Sequence, residues 1–170
     1  MTTAYLLTGS PGVGKTTLIR EVLSKVNKKA GGFYTQEIRG GSRREGFKIV
    51  TLDGKEAVLA HTGMTSPYRV GKYGVDIGSL EDTAVAALDR AIAESELIVI
   101  DEIGKMELFS PLFRDAVVRA INSSKKVLGT IMLKPHPFAD DIKRHPAVNT
   151  VLLTRNNRDA VVTLILEWLK

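Results

Sequence analysis

A glycine-rich loop near the start of the sequence constrains this chain more than any other stretch. The apolar run Tyr5-Leu6-Leu7 leads into the loop, which fits the pattern G-x-x-x-x-G-K-[ST] in full over 9–16. A segment with apolar residues at helical spacing follows, over 16–26. Glycines let backbone N–H groups turn inward around an anion, and the positive end of a helix favours negative charge there. The loop therefore predicts a nucleotide-phosphate site between a strand and a helix.

The loop and the first turn of this helix supply the predicted nucleotide contacts. Lys15 adds a mobile cation for the β- and γ-phosphates, and we also expect it to take part in catalysis. The hydroxyl of Thr16 is a ligand suited to Mg²⁺. The predicted nucleotide-binding residues here are Gly9, Ser10, Pro11, Gly12, Val13, Gly14, Lys15, Thr16 and Thr17.

A second candidate group follows an apolar run in the middle of the chain. Residues 97–100 are all apolar and end in Asp101-Glu102, which is typical of a buried parallel strand with an acidic end. Ligands of parallel sheets lie beyond the carboxyl ends of the strands, so this pair should face the glycine-rich loop. We predict that Asp101 binds Mg²⁺ together with Thr16, and that Glu102 polarises the water that attacks the γ-phosphate.

The order of the predicted elements indicates an α/β fold. Strands alternating with helices favour a mostly parallel sheet covered by helices on both faces. Ser79 is the expected N-cap of a helix that runs to about Glu94, and Ser110-Pro111 opens the next one. A short helix is expected over 137–144. In the last helix, from about 157 to 169, the residues expected to face inward are Val161, Leu164, Ile165 and Trp168.

The segment 32–60 predicts an antiparallel β-meander inserted into this fold. Three runs rich in β-branched and aromatic residues predict its strands, 32–39, 47–52 and 56–60. A mobile basic turn over 40–46 should expose Arg43 and Arg44 to solvent, and Asp53-Gly54 is a strong hairpin signal. A chain of 170 residues suits one core of ordinary size, so a single domain over 1–170 is expected.

Composition narrows the possible partners and compartments. The chain has no cysteine, which excludes disulfides and thiolate chemistry, and its three histidines do not have metal-ligand spacing. No apolar run is long enough to span a membrane and no signal-peptide pattern opens the sequence, so a cytoplasmic location is the expectation. The net charge of +5 favours an anionic partner, for which a triphosphate is sufficient.

Several blocks of the sequence resemble one family, the small nucleoside-triphosphatases of thermophilic bacteria and archaea, which includes the vertebrate cancer-related nucleoside-triphosphatase. The blocks follow the family's order and cover nearly the whole chain: 9–18, 32–39, 46–52, 70–76 and 101–109. The last of them, Asp-Glu-Ile-Gly-Lys-Met-Glu-Leu-Phe, is the most specific. The resemblance implies a P-loop NTPase three-layer sandwich. It also implies Mg²⁺-dependent hydrolysis of NTP to NDP and phosphate, with tolerance of several bases, ATP and GTP among them.

Five further residues are candidates for the same site. Lys105 and Glu107 flank Met106 just after the acidic pair; Lys105 either offsets charge on the γ-phosphate or joins Glu107 in a salt-bridged loop. Arg39 lies within a family-like block and is a candidate cation for the γ-phosphate. The segment that contains Asn157 and Arg158 matches a family segment near the nucleotide, so both are predicted nucleotide contacts.

Two other functions remain open on the sequence. A nucleotide or small-molecule kinase shares the fold and the loop, and the basic 39–46 hairpin could act as its lid. An NTP-dependent regulatory module that binds nucleic acid would suit a pI near 9.5. No basic stripe interleaved with aromatic residues supports that module. The oligomeric state is not predicted.

Overall fold

The structure is a computed structural model that describes residues 1–170, and its strands form one nine-stranded sheet. The strands are β1 (Ala4–Thr8), β2 (Ala30–Gly40), β3 (Arg43–Thr51), β4 (Glu56–His61), β5 (Arg69–Val70), β6 (Tyr73–Val75), β7 (Leu97–Ile103), β8 (Lys126–Ile131) and β9 (Val148–Leu152). Their order across the sheet is β5-β6-β4-β3-β2-β7-β8-β1-β9. In one half of the sheet, the strands β2, β7, β8, β1 and β9 pair in parallel. In the other half, the strands β2, β3, β4, β6 and β5 pair antiparallel.

Helices cover both faces of the parallel half. They are α1 (Lys15–Lys25), α2 (Ile77–Leu80), a π-helical segment (Glu81–Val85), α3 (Ala86–Glu94), α4 (Pro111–Asn122), α5 (Pro137–Arg144) and α6 (Arg158–Trp168). A single turn of 3-10 helix (Glu107–Phe109) precedes α4. None of the helices has the length and hydrophobicity that a bilayer crossing requires.

The buried strand β7 divides its side chains between two cores. Leu97 and Val99 pack with residues of α1 and α6, whereas Ile98 and Ile100 pack with residues of α3, α4 and α5. Successive side chains of a strand point to opposite faces, so a strand with a helix layer on each side must be apolar at every position. The predicted three-layer arrangement is confirmed. β7 lies in the middle of the sheet and carries the acidic pair Asp101-Glu102 near its carboxyl end.

The antiparallel half begins within β2 itself. The first part of β2 pairs in parallel with β7, from Ala30 to Phe33, and the rest pairs with β3 in a hairpin. The predicted β-meander is present, and β5 and β6 extend it. The turn predicted over 40–46 is wrong in extent, because only Gly41 and Ser42 lie outside the strands. Gly41 has a φ of 65°, as tight two-residue hairpin turns require.

The side-chain contacts correct three details of the local predictions. Arg43 and Arg44 are exposed as predicted, but both lie in β3 rather than in a mobile turn. The Arg44 guanidinium lies 5.0 Å from the ring centroid of Phe47 and donates a hydrogen bond to the Tyr73 hydroxyl at 3.0 Å. Asp76, not Ser79, caps the helix, because its carboxylate accepts hydrogen bonds from the Ser79 N–H and hydroxyl. Leu164 is exposed, since the buried stripe of α6 runs through Val161, Val162 and Ile165 instead.

The larger core offers a test of the packing. Phe33 and Phe113 are fully buried, with ring centroids 6.0 Å apart at an edge-to-face angle of 70°. Phe113→Ala should lower the free energy of unfolding by about 3–5 kcal/mol, because it leaves a cavity between β2 and α4. Leu112→Ala, at a neighbouring residue that is 54% exposed, should change it by less than about 0.5 kcal/mol. Denaturant unfolding measures both, and equal losses would contradict this account of the core.

Candidate active site

The glycine-rich loop connects β1, which is wholly buried, to α1. Gly14 caps α1 in a left-handed conformation (φ 101°), which a glycine adopts without strain. No side chain caps this helix and no acidic residue lies in its first turn, so its free N–H groups can bind an anion. The Lys15 ammonium folds back over the loop and donates to the Gly9 carbonyl at 2.7 Å and the Ser10 carbonyl at 3.3 Å.

The carboxylate of Asp101 joins this loop to the middle of the sheet. One of its oxygens accepts a hydrogen bond from the Thr16 hydroxyl at 2.6 Å, and the other accepts one from the Thr130 hydroxyl at 2.6 Å. Asp101 is only 2% exposed. Burial raises its pKa, while the two threonine hydroxyls, the Thr35 N–H and the charge of Lys15 act in the opposite direction. The end of β7 and the start of α1 are therefore in direct contact.

Glu102 and Glu107 lie over the same glycine. A Cβ on Gly104 would stand 2.7 Å from Glu102 Oε1 and 3.0 Å from Glu107 Oε1, so a larger residue there would have to displace the carboxyl groups. Burial, followed by the charge of Asp101, raises the pKa of Glu102, and Lys15 partly offsets this. Burial, followed by the charge of Glu102, raises the pKa of Glu107 well above that of an ordinary glutamate.

The two donors at the loop fit a magnesium ion that is shared with phosphates. The structure contains no cluster of three or more His, Asp or Glu side chains that would form an all-protein metal cage. Mg²⁺ is commonly held through one or two protein oxygens, with phosphates and waters completing its shell. The Thr16 hydroxyl and the Asp101 carboxylate, which are in contact, are such a pair of oxygen donors.

A cavity of about 200 Å³ adjoins the carboxyl groups. Its polar lining residues are Thr35, Glu102, Lys105 and Glu107. Its other lining residues, which we call the apolar wall, are Phe47, Leu59, Val70 and Met106. The lining residues as a whole come from β2, β3, β4, β5, the end of β7 and the segment after it. The antiparallel half of the sheet thus contributes to the wall of a chamber next to Glu102.

The structure places the other predicted residues in different surroundings. Lys105 is exposed and lines the cavity beside Glu102. Arg39 lies near the hairpin turn, where its guanidinium contacts Glu37 at 2.8 Å and the Ser42 carbonyl at 3.2 Å. Both of these contacts lie within the hairpin, and the role of Arg39 as a cation for the γ-phosphate stays a prediction.

Asn157 and Arg158 also make contacts within the chain. The Asn157 side chain accepts from the Thr154 N–H and donates to the Leu152 carbonyl, both at 2.8 Å, and so shapes the loop after β9. The Arg158 guanidinium pairs with Glu21 of α1 at 3.4 Å. Both residues lie near β1 or α1, the elements that flank the glycine-rich loop. Their contact with a nucleotide stays a prediction.

Two threonines at the site were missed on the sequence. Thr130 precedes the last residue of β8, and Thr35 lies in β2 just beyond the part that pairs with β7. A polar residue near the carboxyl end of a strand whose preceding residues, Val127 to Gly129, are apolar is a signal for Thr130. Nothing in the local sequence distinguishes the backbone N–H of Thr35 from that of its neighbours.

The fold and site define a protein of the P-loop class, an α/β sandwich with a phosphate loop and an acidic strand end against it. Comparison with known proteins gives the family. Residues 4–166 match the family described as NTPase. The nucleoside-triphosphatase THEP1 of Thermotoga maritima is 50% identical over 165 residues, covering 97% of this chain and 94% of that protein. The human cancer-related nucleoside-triphosphatase is 43% identical over 169 residues, covering 90% of this chain and 89% of that protein.

A solved structure agrees with these sequence matches. The crystal structure of THEP1 from Aquifex aeolicus superposes with a TM-score of 0.90 at 40% identity, covering 98% of this chain and 99% of that one. The chain belongs to the NTPase family. The resemblance and the P-loop α/β fold predicted from the sequence are therefore confirmed, as is the prediction of an enzyme that hydrolyses nucleoside triphosphates.

The buried Glu107 predicts a pH dependence of stability. Because its pKa is raised in the native state, native Glu107 keeps a proton that the unfolded chain releases. The stability from this group is fully present below the ordinary glutamate pKa of about 4.3 and is lost as pH rises through the native pKa. Glu107→Gln keeps the shape without the titration, so its melting temperature relative to wild type should rise between acidic and neutral pH.

Thermal unfolding at several pH values measures this difference. Glu94→Gln, at an exposed glutamate that ends α3, is the matched control. A difference between Glu107→Gln and wild type that stays constant with pH would show that Glu107 does not hold an extra proton in the native state.

Proposed function

We propose that the protein hydrolyses several nucleoside triphosphates, including ATP and GTP, to the diphosphate and inorganic phosphate in a Mg²⁺-dependent reaction. The observation that carries the proposal is the hydrogen bond between Thr16 and Asp101. It brings the acidic end of β7 to the phosphate loop, so that groups for phosphate, metal and water lie together. We expect the activity in the cytoplasm, where nucleoside triphosphates are abundant.

In this proposal the loop binds the triphosphate through its backbone. The N–H groups of 9–14 and of the first turn of α1 surround the phosphates, and Lys15 exchanges its carbonyl contacts for phosphate oxygens. Thr16 and Asp101 would hold Mg²⁺, which offsets charge on the β- and γ-phosphates when it is bound. Asp101 is prepared for this role because Thr130 holds its second oxygen.

Glu102 is the proposed general base. It follows Asp101 directly, and it lines the cavity from which a water can approach the γ-phosphate. A general base works best when its pKa lies near the working pH, and burial beside Asp101 raises the pKa of Glu102 in that direction. The attacking water gives its proton to Glu102 as its oxygen bonds to the γ-phosphorus. The bond from that phosphorus to the bridging oxygen breaks, and NDP leaves.

Lys105 is the proposed additional cation. It lies beside Glu102 at the mouth of the cavity, and its exposed side chain is free to reach the γ-phosphate. Arginines that act in this way accelerate hydrolysis by about 10³–10⁵-fold. Arg39 is engaged with Glu37 in the hairpin, which favours Lys105 for this role.

Phosphate release from ATP, GTP, CTP and UTP, with and without Mg²⁺, tests the activity. Lys15→Ala is the blank, because it removes the cation that the phosphate site depends on. Release that requires Mg²⁺ and Lys15 for more than one base supports the proposal. Release that continues without added Mg²⁺ in the presence of a chelator would contradict the metal dependence.

Glu102→Gln separates chemistry from binding. It should lower turnover by about 10²-fold or more, the usual scale for a lost general base, while the affinity for nucleotide stays near that of wild type. Steady-state kinetics and nucleotide titration measure the two quantities. Glu94→Gln, which lies before the opposite end of β7, is the control and should retain full turnover. Unchanged turnover in Glu102→Gln would remove Glu102 from the mechanism.

A further inference from the structure

The cavity beside Glu102 is larger than hydrolysis needs. One attacking water needs about 10–15 Å³ of cavity volume, whereas this cavity measures about 200 Å³. An apolar cavity of about 150 Å³ is large enough to bind benzene. The chamber therefore has room for a compact organic molecule slightly larger than a benzene ring.

The lining of the cavity is divided in the way that a small alcohol would match. Phe47, Leu59, Val70 and Met106 offer apolar contact to a hydrocarbon body, and Thr35, Glu102 and Glu107 offer polar groups in the same cavity. Ligand pockets combine such apolar linings with a few polar groups that fix orientation. An apolar wall does nothing for a single water, which gains only from hydrogen bonds.

The cavity is poorly suited to an anionic second substrate. Lys105 is its only basic residue and is exposed, and Glu102, the proposed proton acceptor, lies in the same cavity. A phosphorylated second substrate needs a cluster of cations, and this cavity contains one. The charge balance favours an uncharged hydroxyl compound.

We propose that this cavity is an acceptor subsite, in which a small uncharged alcohol with an apolar body takes the γ-phosphoryl group in place of water. The proposal rests on the proposed function, since it uses the same phosphate loop and the same general base. The alcohol oxygen bonds to the γ-phosphorus, and the bond from that phosphorus to the bridging oxygen breaks. The hydroxyl proton passes to Glu102, and the products are a phosphate monoester and NDP.

Benzyl alcohol is the probe, because it carries a hydroxyl on a ring of the size the cavity admits. Wild-type protein is incubated with ATP, Mg²⁺ and benzyl alcohol, and phosphorus NMR measures benzyl phosphate and inorganic phosphate together. We expect benzyl phosphate to form alongside phosphate. Hydroxymethyl benzoate, the same alcohol with a carboxylate added, should give at least about tenfold less ester, because the Glu102 carboxylate repels its charge and the cavity has only one cation to offset it.

Val70→Phe tests the location by filling the cavity from its apolar wall. It should lower the ratio of benzyl phosphate to inorganic phosphate by about tenfold or more. Val58→Phe, on the exposed side of β4 and outside the cavity, is the matched control and should keep the wild-type ratio. Thermal unfolding confirms that both variants are folded, and the wild-type product ratio is a test that needs no variant.

The outcomes separate the two proposals. Phosphate release without any benzyl phosphate would overturn the acceptor subsite and leave the hydrolase intact. A wild-type ratio in folded Val70→Phe would also overturn it, because the ester would then arise outside this cavity. Absence of both products would overturn the proposed hydrolysis, and the acceptor subsite with it.

Discussion

One buried carboxylate holds this site together. Asp101 is almost fully enclosed, and an isolated charge in such surroundings would be strongly unfavourable. Three hydrogen-bond donors stabilise the Asp101 carboxylate: the hydroxyls of Thr16 and Thr130, and the N–H of Thr35. These donors come from α1, β8 and β2, so a single side chain on β7 connects four elements. The phosphate loop has its position relative to Glu102 because of this network.

The sequence was sufficient wherever local spacing and strand direction determine the arrangement. The pattern over 9–16 and the acidic end of β7 are local, and the convergence of parallel strand ends brings them together. The sequence was insufficient where a hydrogen-bond partner comes from a distant strand, as Thr130 does for Asp101. It was also insufficient where two residues are equally good candidates for one role. Asp76 and Ser79 are both good N-caps three residues apart, and only the observed hydrogen bonds show that Asp76 serves. Arg39, Lys105, Asn157 and Arg158 lie outside the glycine-rich loop and the acidic pair. For these residues the structure gives a position, and their roles stay predictions.

The cavity beside Glu102 bears directly on the proposed chemistry. Phosphate release and phosphate transfer differ only in which oxygen reaches the γ-phosphorus, and the choice depends on what occupies the space beside Glu102. In this chain that space is bounded by the antiparallel strands as well as by the end of β7 and the segment after it. In the proposed reaction the parallel half would supply Glu102, and the antiparallel strands would supply most of the apolar contact that selects between water and another acceptor.

Strand β2 belongs to both halves, and this division has an evolutionary consequence. Its first residues are fixed against β7, while its later residues run out into a hairpin whose turn, Gly41 and Ser42, is exposed. Changes in hairpin length can accumulate at that turn without altering the register at Thr35 or the surroundings of Asp101. Related proteins can thus diverge at the far end of β2 while keeping the same reaction centre.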